Sequence, residues 1–435
     1  MLAVGRKKVY LSMEQSQDLS ALLPNIANQM RGLLSSLHLA AAQAIPAQAR
    51  EQDPALDAKA AVLDQSFYRL LRLVNSLSAA EYLTEDHPLP LRDTDVVKLV
   101  GTVCETSGDL AELLGIKRLW VKDDGQNPTA SLKDRASAMA VAKAKEAGKD
   151  IIACSSTGNA ASSLAGNAAA AGMKTYIFVP ERAPKGKVAQ LMIFGANVIS
   201  VKGNYEETFK MSAEAIEKWG WYNRNAAINP YLSEGKKTVS LEIAEQLNWE
   251  MPDYLAISVG DGCTIAGVWK GLKDLYAIGF IDKLPRLISA QAEGCHPINR
   301  AIAENKPWEP MEENTLADSI AVGVPRNADK ALMAIRESNG IVVNVTDEEI
   351  MAAQKLLGTT CGVFGEPAGV TGTAAVKKLC EQGVLGENDT VVSVVTGNGL
   401  KDVTNAIKSA GEPINIKPDL DLMVEEFAKR GVTVE

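Results

Sequence analysis

Apolar positions along the chain fall into two textures. Leu19, Leu22, Leu23, Ile26, Met30, Leu33, Leu34 and Leu37 step by threes and fours, which predicts an amphipathic helix. Leu56, Leu63, Phe67, Leu70, Val74 and Leu77 predict a second, with a polar, proline-bounded turn over 47–54 between them. Such an α-helical hairpin cannot bury its stripe alone, and a four-helix arrangement made by dimerisation would cover it. From residue 118 onward short apolar runs alternate with helical stretches. The runs 119–122, 150–154, 174–180, 198–201, 254–259, 287–290, 341–343 and 391–395 predict strands. Strands alternating with helices imply an α/β fold with parallel sheets covered on both faces, and ligands bound beyond the carboxyl ends of strands.

Composition narrows the class. A chain of 435 residues exceeds one small core and predicts more than one domain. Apolar residues make up 46% and charged residues 23%, and the net charge is −9. That balance predicts a cytoplasmic protein and argues against a nucleic-acid partner. No window approaches the apolar length of a membrane span, and the first ten residues lead into no secretory h-region. The six cysteines and three histidines are scattered, so reduced thiols and no metal site are expected.

The most informative motif is Asn127-Pro128-Thr129-Ala130-Ser131-Leu132-Lys133-Asp134-Arg135. It follows a strand, turns at Asn-Pro, and opens a helix rich in Ala, Met and Val. Ser131 with Asp134 three residues on predicts a capping-box-like start, with Lys133 in the first turn. There the helix dipole and desolvation both favour the neutral amine that a Schiff-base lysine needs.

Three further loops follow strands. Ser155-Ser156-Thr157-Gly158-Asn159 places hydroxyls and an amide at a helix start, where a substrate carboxylate would bind. Gly260-Asp261-Gly262-Cys263-Thr264 lacks the third glycine and acidic residue of a dinucleotide loop and suits one small phosphate. Thr396-Gly397-Asn398-Gly399 puts a hydroxyl at a strand end, facing a ring nitrogen. A lysine, a phosphate cup, an amide and a hydroxyl together describe a pyridoxal 5'-phosphate site.

Residues 118–435 resemble threonine synthase of the tryptophan-synthase-β superfamily, fold type II. The resemblance rests on the lysine motif, 155–159, 260–264, Glu366-Pro367-Ala368-Gly369 and 396–402, in that order. It implies two parallel-sheet domains: a large cofactor-binding domain over 117–149 and 236–435, and a smaller one over 150–235. It further implies Lys133 as Schiff-base lysine and proton shuttle, Asn159 at the ring 3-oxygen, and Gly260, Asp261, Gly262, Cys263 and Thr264 at the cofactor phosphate. Thr396 would face the pyridine nitrogen. Ser155, Ser156, Thr157, Asn229 and Lys236 would contact substrate, with Glu234 and Lys237 near the same turn. The family reaction converts O-phospho-L-homoserine and water into L-threonine and phosphate, and a homodimer is expected.

Residues 1–116 resemble the dimerisation and phosphoacceptor hairpin of sensor histidine kinases, through Asn28-Gln29-Met30-Arg31 and Pro88-Leu89-Pro90-Leu91. Asn28 stands where the phosphorylated histidine would be, and His38 is elsewhere on the helix, so an inert hairpin is expected. Only Gly101-Thr102-Val103 stands where the synthase family has a Gly-Thr-Pro-Leu-like turn, which sets the junction at Leu113 to Lys117. Serine/threonine dehydratase and cysteate synthase chemistry are the alternatives within the superfamily. A catalytically inert fusion serving as a helical dimerisation module is the alternative outside it.

Overall fold

The computed structural model describes residues 103–105, 108–183, 185–226 and 228–431. The hairpin expected over 17–80, with Asn28 and His38, lies outside them. Among the described residues, β1 (Val103–Glu105), β2 (Arg118–Asp123), β7 (Tyr254–Ser258), β8 (Arg286–Ala292), β9 (Ile341–Val345) and β10 (Thr390–Val395) form a six-stranded sheet of order β1-β2-β10-β7-β8-β9. A four-stranded sheet of order β5-β4-β3-β6 contains β3 (Ile151–Ser155), β4 (Lys174–Pro180), β5 (Asn197–Val201) and β6 (Tyr222–Asn223). Every ladder is parallel except β1 with β2.

The centre of the large sheet shows why its strands read as apolar runs. Val391 pairs with Leu119 on one side and Tyr254 on the other, so β10 has neighbours at both edges. Helices cover both faces, and a strand buried on both faces needs apolar residues throughout rather than alternately. Val391 and Val395 join the cluster of Leu119, Val370 and Ala374, while Val392 and Val394 join Leu255, Ile257 and Ile265 on the other face. Ser393 is the exception, and its hydroxyl is satisfied by Thr373 at 2.8 Å. A third cluster, with Ile152, Leu164 and Ile177, fills the small sheet's surroundings.

The boundary expected at 116/117 falls inside the large core. Leu110, Ala111 and Leu114, on the helix Gly108–Leu114, pack in the same cluster as Leu119 and Val391. β1 adds an antiparallel edge strand ahead of them. Among the described residues, the α/β core therefore already includes side chains upstream of Leu113 to Lys117.

The polar loops after β2, β3, β7 and β10 all leave the carboxyl ends of their strands. Two of them are stitched together directly. Leu132 N–H donates to the Thr396 carbonyl at 2.9 Å, and Asn398 N–H donates to the Ala130 carbonyl at 3.0 Å.

Candidate active site

After β2 the chain turns over Asn127-Pro128, with the Ala130 N–H on the Asn127 carbonyl at 2.7 Å and Ala130 at φ 65°. Lys133 is then the first residue of the helix Lys133–Glu146. The start departs from the expected capping box. Leu132 holds the cap position without a side-chain cap. Asp134 turns back instead, accepting the Thr129 N–H at 2.9 Å and the Thr129 hydroxyl at 2.8 Å. It also takes the Asn167 amide at 2.8 Å, so this carboxylate staples the turn across to the next helix. The Ser131 hydroxyl is left buried without a partner.

Burial pushes the Lys133 amine down to about 8, and the Lys236 ammonium beside it acts in the same direction. Packing brings those two lysines together. The helix Tyr231–Gln246 lies so close to the Lys133 helix that a Cβ on Gly235 would overlap the Arg135 carbonyl oxygen. On its other side, a Cβ on Gly267 would sit 3.1 Å from the Lys236 Cβ. Lys236 is 5% exposed, and no ion pair or hydrogen bond of its side chain is found among the described residues. Arg224, 2% exposed, donates through Nε and Nη2 to the Ser137 hydroxyl at 3.2 and 3.1 Å. Burial lowers its titration as well. Buried cations short of counter-ions are unfavourable alone and favourable around an anion.

The loop after β7 supplies an anion cradle. The helix Cys263–Ala277 starts at Gly262, which stands at φ 83°, with no side-chain cap and no acidic residue in the first turn. Its first N–H groups and the positive end of the dipole are thus left for an anion. The path admits only glycine. A Cβ on Gly260 would lie 2.9 Å from the Ile320 Cα, and one on Gly262 would lie 2.8 Å from the Asn327 carbonyl oxygen. The side chains of Asp261 and Cys263 serve the loop itself. Asp261 accepts the Arg326 N–H at 3.0 Å, and Cys263 Sγ accepts from the Asn327 amide. Thr264 follows, half-buried, in the first turn.

After β3, Ser155 N–H donates to Asn225 Oδ1 at 2.8 Å, whereas the Ser155 hydroxyl and Asn225 Nδ2 are buried and unpartnered. Orphan polar groups at a strand end are what a ligand contact leaves behind when the ligand is removed. Ser156 Oγ takes the Gly158 N–H at 3.2 Å, and Thr157 lines the adjoining cavity. Asn159 Nδ2 donates to Glu366 Oε1 at 2.6 Å. Burial pushes the Glu366 carboxyl up to about 7, while the Asn159 amide and the Lys133 charge pull it back. Thr396 stands half-buried directly after β10.

A cavity of about 820 Å³ opens against Thr157, Gly158, Asn159 and Glu366. Its lining does not extend to Lys133 or the 260–264 loop. Lys401 crosses it to reach the Ser162 hydroxyl at 3.0 Å and Gln190 Oε1 at 3.2 Å, and Lys187 pairs with Asp318 at 2.9 Å.

One expected contact is otherwise engaged. Asn229 donates to the Asn223 carbonyl at 3.0 Å and accepts the Tyr231 N–H at 3.0 Å, so both ends of its amide hold the backbone turn. Glu234 and Lys237 pair with each other at 2.7 Å on the helix surface, where Lys237 also meets Asp274. Arg224, Asn225 and Glu366 are the site residues that sequence reasoning gave no role. Arg224 and Asn225 follow the two-residue strand β6, too short to stand out from a loop.

A family model described as pyridoxal-phosphate dependent enzyme matches residues 98–397. The chain is 41% identical to threonine synthase of Methanocaldococcus jannaschii over 343 residues, covering 77% of this chain and 84% of that one. It is 40% identical to threonine synthase of Methanosarcina acetivorans, covering 77% and 83%. Among solved structures, maize serine racemase aligns with a TM-score of 0.61 at 22% identity, covering 77% of this chain and 94% of that one. Threonine deaminase isoform 2 of Solanum lycopersicum aligns at 0.60 and 21%, covering 72% and 90%. At those identities the likeness is one of fold. The chain belongs to the threonine synthase family of pyridoxal-phosphate dependent enzymes.

Proposed function

We propose that this chain converts O-phospho-L-homoserine and water into L-threonine and phosphate. The residues present fit pyridoxal phosphate: an uncapped helix start on a glycine path, an amine whose pKa burial lowers to about 8, and unpartnered buried polar groups at the end of β3. When bound, the cofactor supplies an aldehyde for a Schiff base and a ring that takes up the electron pair of the substrate α-carbon.

The protein's own groups divide the remaining work. Lys133 is the residue that would hold the cofactor aldehyde, and its free amine would serve as the general base that takes first the α-proton and then a β-proton of the substrate. It would return one proton to the γ-carbon after the γ C–O bond has broken and phosphate has left, and one to the α-carbon once water has added its hydroxyl at the β-carbon, the remaining water proton going to the released phosphate. The N–H groups of the 260–264 loop would hold the cofactor phosphate, and the Asn159 amide would serve the ring 3-oxygen. Thr396 would offer the pyridine nitrogen a neutral hydroxyl, which would not hold a proton there as a carboxylate would. Ser155, Ser156 and Thr157 receive the substrate carboxylate.

The observation that carries this reading is the pair Lys236 and Arg224, buried beside Lys133. The 260–264 cradle already accounts for one phosphate. Further buried cations at the amine suit a second anion, the phosphate of the substrate, which a dehydratase acting on threonine does not require. Product analysis with O-phosphohomoserine against threonine tests it, since only the synthase reaction releases phosphate.

A further inference from the structure

Glu366 occupies the cap position of the helix Pro367–Glu381, where a carboxylate ordinarily accepts N–H groups of its own first turn, yet it makes no side-chain cap. Its backbone N–H is fixed to the Gly397 carbonyl at 2.8 Å, and a Cβ on Gly397 would overlap Glu366 Oε1. The carboxyl is thereby steered past the β10 turn to meet Asn159 Nδ2 at 2.6 Å. It is 5% exposed and lies on the wall of the cavity lined by Thr157, Gly158 and Asn159. A buried acid normally stands only where something needs it.

We propose that Glu366 is a positioning residue for the cofactor: it fixes the Asn159 amide so that the remaining N–H points at the ring oxygen, and it brings its own charge beside the chromophore. The inference rests on the role proposed above for Asn159. An amide has two N–H groups on one nitrogen, so anchoring one to Glu366 determines where the other points. The charged groups facing Glu366 are Lys133 from the helix after β2, Lys401 from the loop after β10, and Lys187 from the helix after β4. All are cations, and burial opposes them, leaving the carboxyl to titrate at about 7. Below that pH it is neutral and above it anionic, next to a cofactor whose colour responds to nearby charge.

The test follows the visible absorbance of the cofactor-loaded protein from pH 6 to 9 without substrate, for wild type, Glu366→Gln, Glu366→Ala and Asn159→Ala. Far-UV circular dichroism confirms that each variant is folded. Glu366→Gln retains an oxygen for Asn159 and loses the ionisation. Its band should keep the wild-type position, and the spectral transition near neutrality should vanish. Glu366→Ala leaves the Asn159 amide unanchored, so its band should shift in the same direction as that of Asn159→Ala. A Glu366→Gln protein that titrates as wild type does, or a Glu366→Ala band at the wild-type position beside a shifted Asn159→Ala band, overturns the inference alone. An Asn159→Ala band identical to wild type removes the Asn159 role and this inference with it.

Discussion

Arg135 and Glu242 form a bidentate pair, Nη1 to Oε1 and Nη2 to Oε2, each at 2.7 Å. Arg135 lies two residues beyond Lys133, and Glu242 sits on the helix that carries Lys236. The same guanidinium takes Asp124, which is fully buried, at 2.7 and 2.8 Å, and Glu242 also receives Lys122 at 2.7 Å. A rigid, two-sided link of this kind fixes the register of the two helices that carry Lys133 and Lys236.

Arg135→Met therefore leaves Asp124 buried without its cation. Removing one partner of a buried pair costs about 3 to 5 kcal/mol. Urea unfolding of the cofactor-free chain should show a loss of that order. A loss below about 1 kcal/mol would mean that the pair acts as an ordinary surface bridge.

The Lys133 amine, held down to about 8, is protonated below that pH and neutral above it. Only the neutral amine attacks an aldehyde. The rate at which stripped protein captures pyridoxal phosphate should rise to about pH 8 and then level, whereas an ordinary lysine would keep gaining towards its usual value of about 10.4. In Lys236→Met a neighbouring cation is gone, so the plateau should move to higher pH. Lys237→Met, whose charge is paired with Glu234 and Asp274, should leave it in place.

Gly262→Ala tests the phosphate cradle. The left-handed backbone at φ 83° costs a residue with a Cβ about 1 to 2 kcal/mol, before the 2.8 Å approach to the Asn327 carbonyl is counted. A loop that shifts to relieve that strain and contact moves its N–H groups off the cofactor phosphate, so weaker cofactor binding is expected. Equilibrium dialysis reads it, and unchanged affinity would place the cofactor phosphate elsewhere.

Much of the frame was legible because parallel strands buried on both faces leave an unmistakable trace. The run Val391 to Val395 stands out against the polar turn that follows, and the same holds at Ile151 and Tyr254. Each loop that ends such a strand could be placed at one edge of a sheet before any coordinate was known. What local sequence could not show were choices settled by distant partners. Asp134, spaced for a capping box, found Thr129 and Asn167 instead. Glu366, placed as a helix cap, found Asn159 from 207 positions away. Asn229 was drawn into its own turn by Asn223 and Tyr231. Leu110 and Leu114 belong with Leu119 because a core closed over them, although the short helix that carries them has no periodic signal of its own.

The central claim is that Lys133, the 260–264 cradle and the Lys236–Arg224 cations together act on a phosphorylated amino acid. The most direct measurement incubates cofactor-loaded protein with O-phospho-L-homoserine and quantifies phosphate and threonine together. Equal amounts of the two are predicted, with turnover abolished in Lys133→Ala and lowered about a hundred-fold or more in Lys236→Met. No phosphate from O-phosphohomoserine, alongside brisk formation of 2-oxobutanoate from threonine, would contradict the account and assign the site to dehydration.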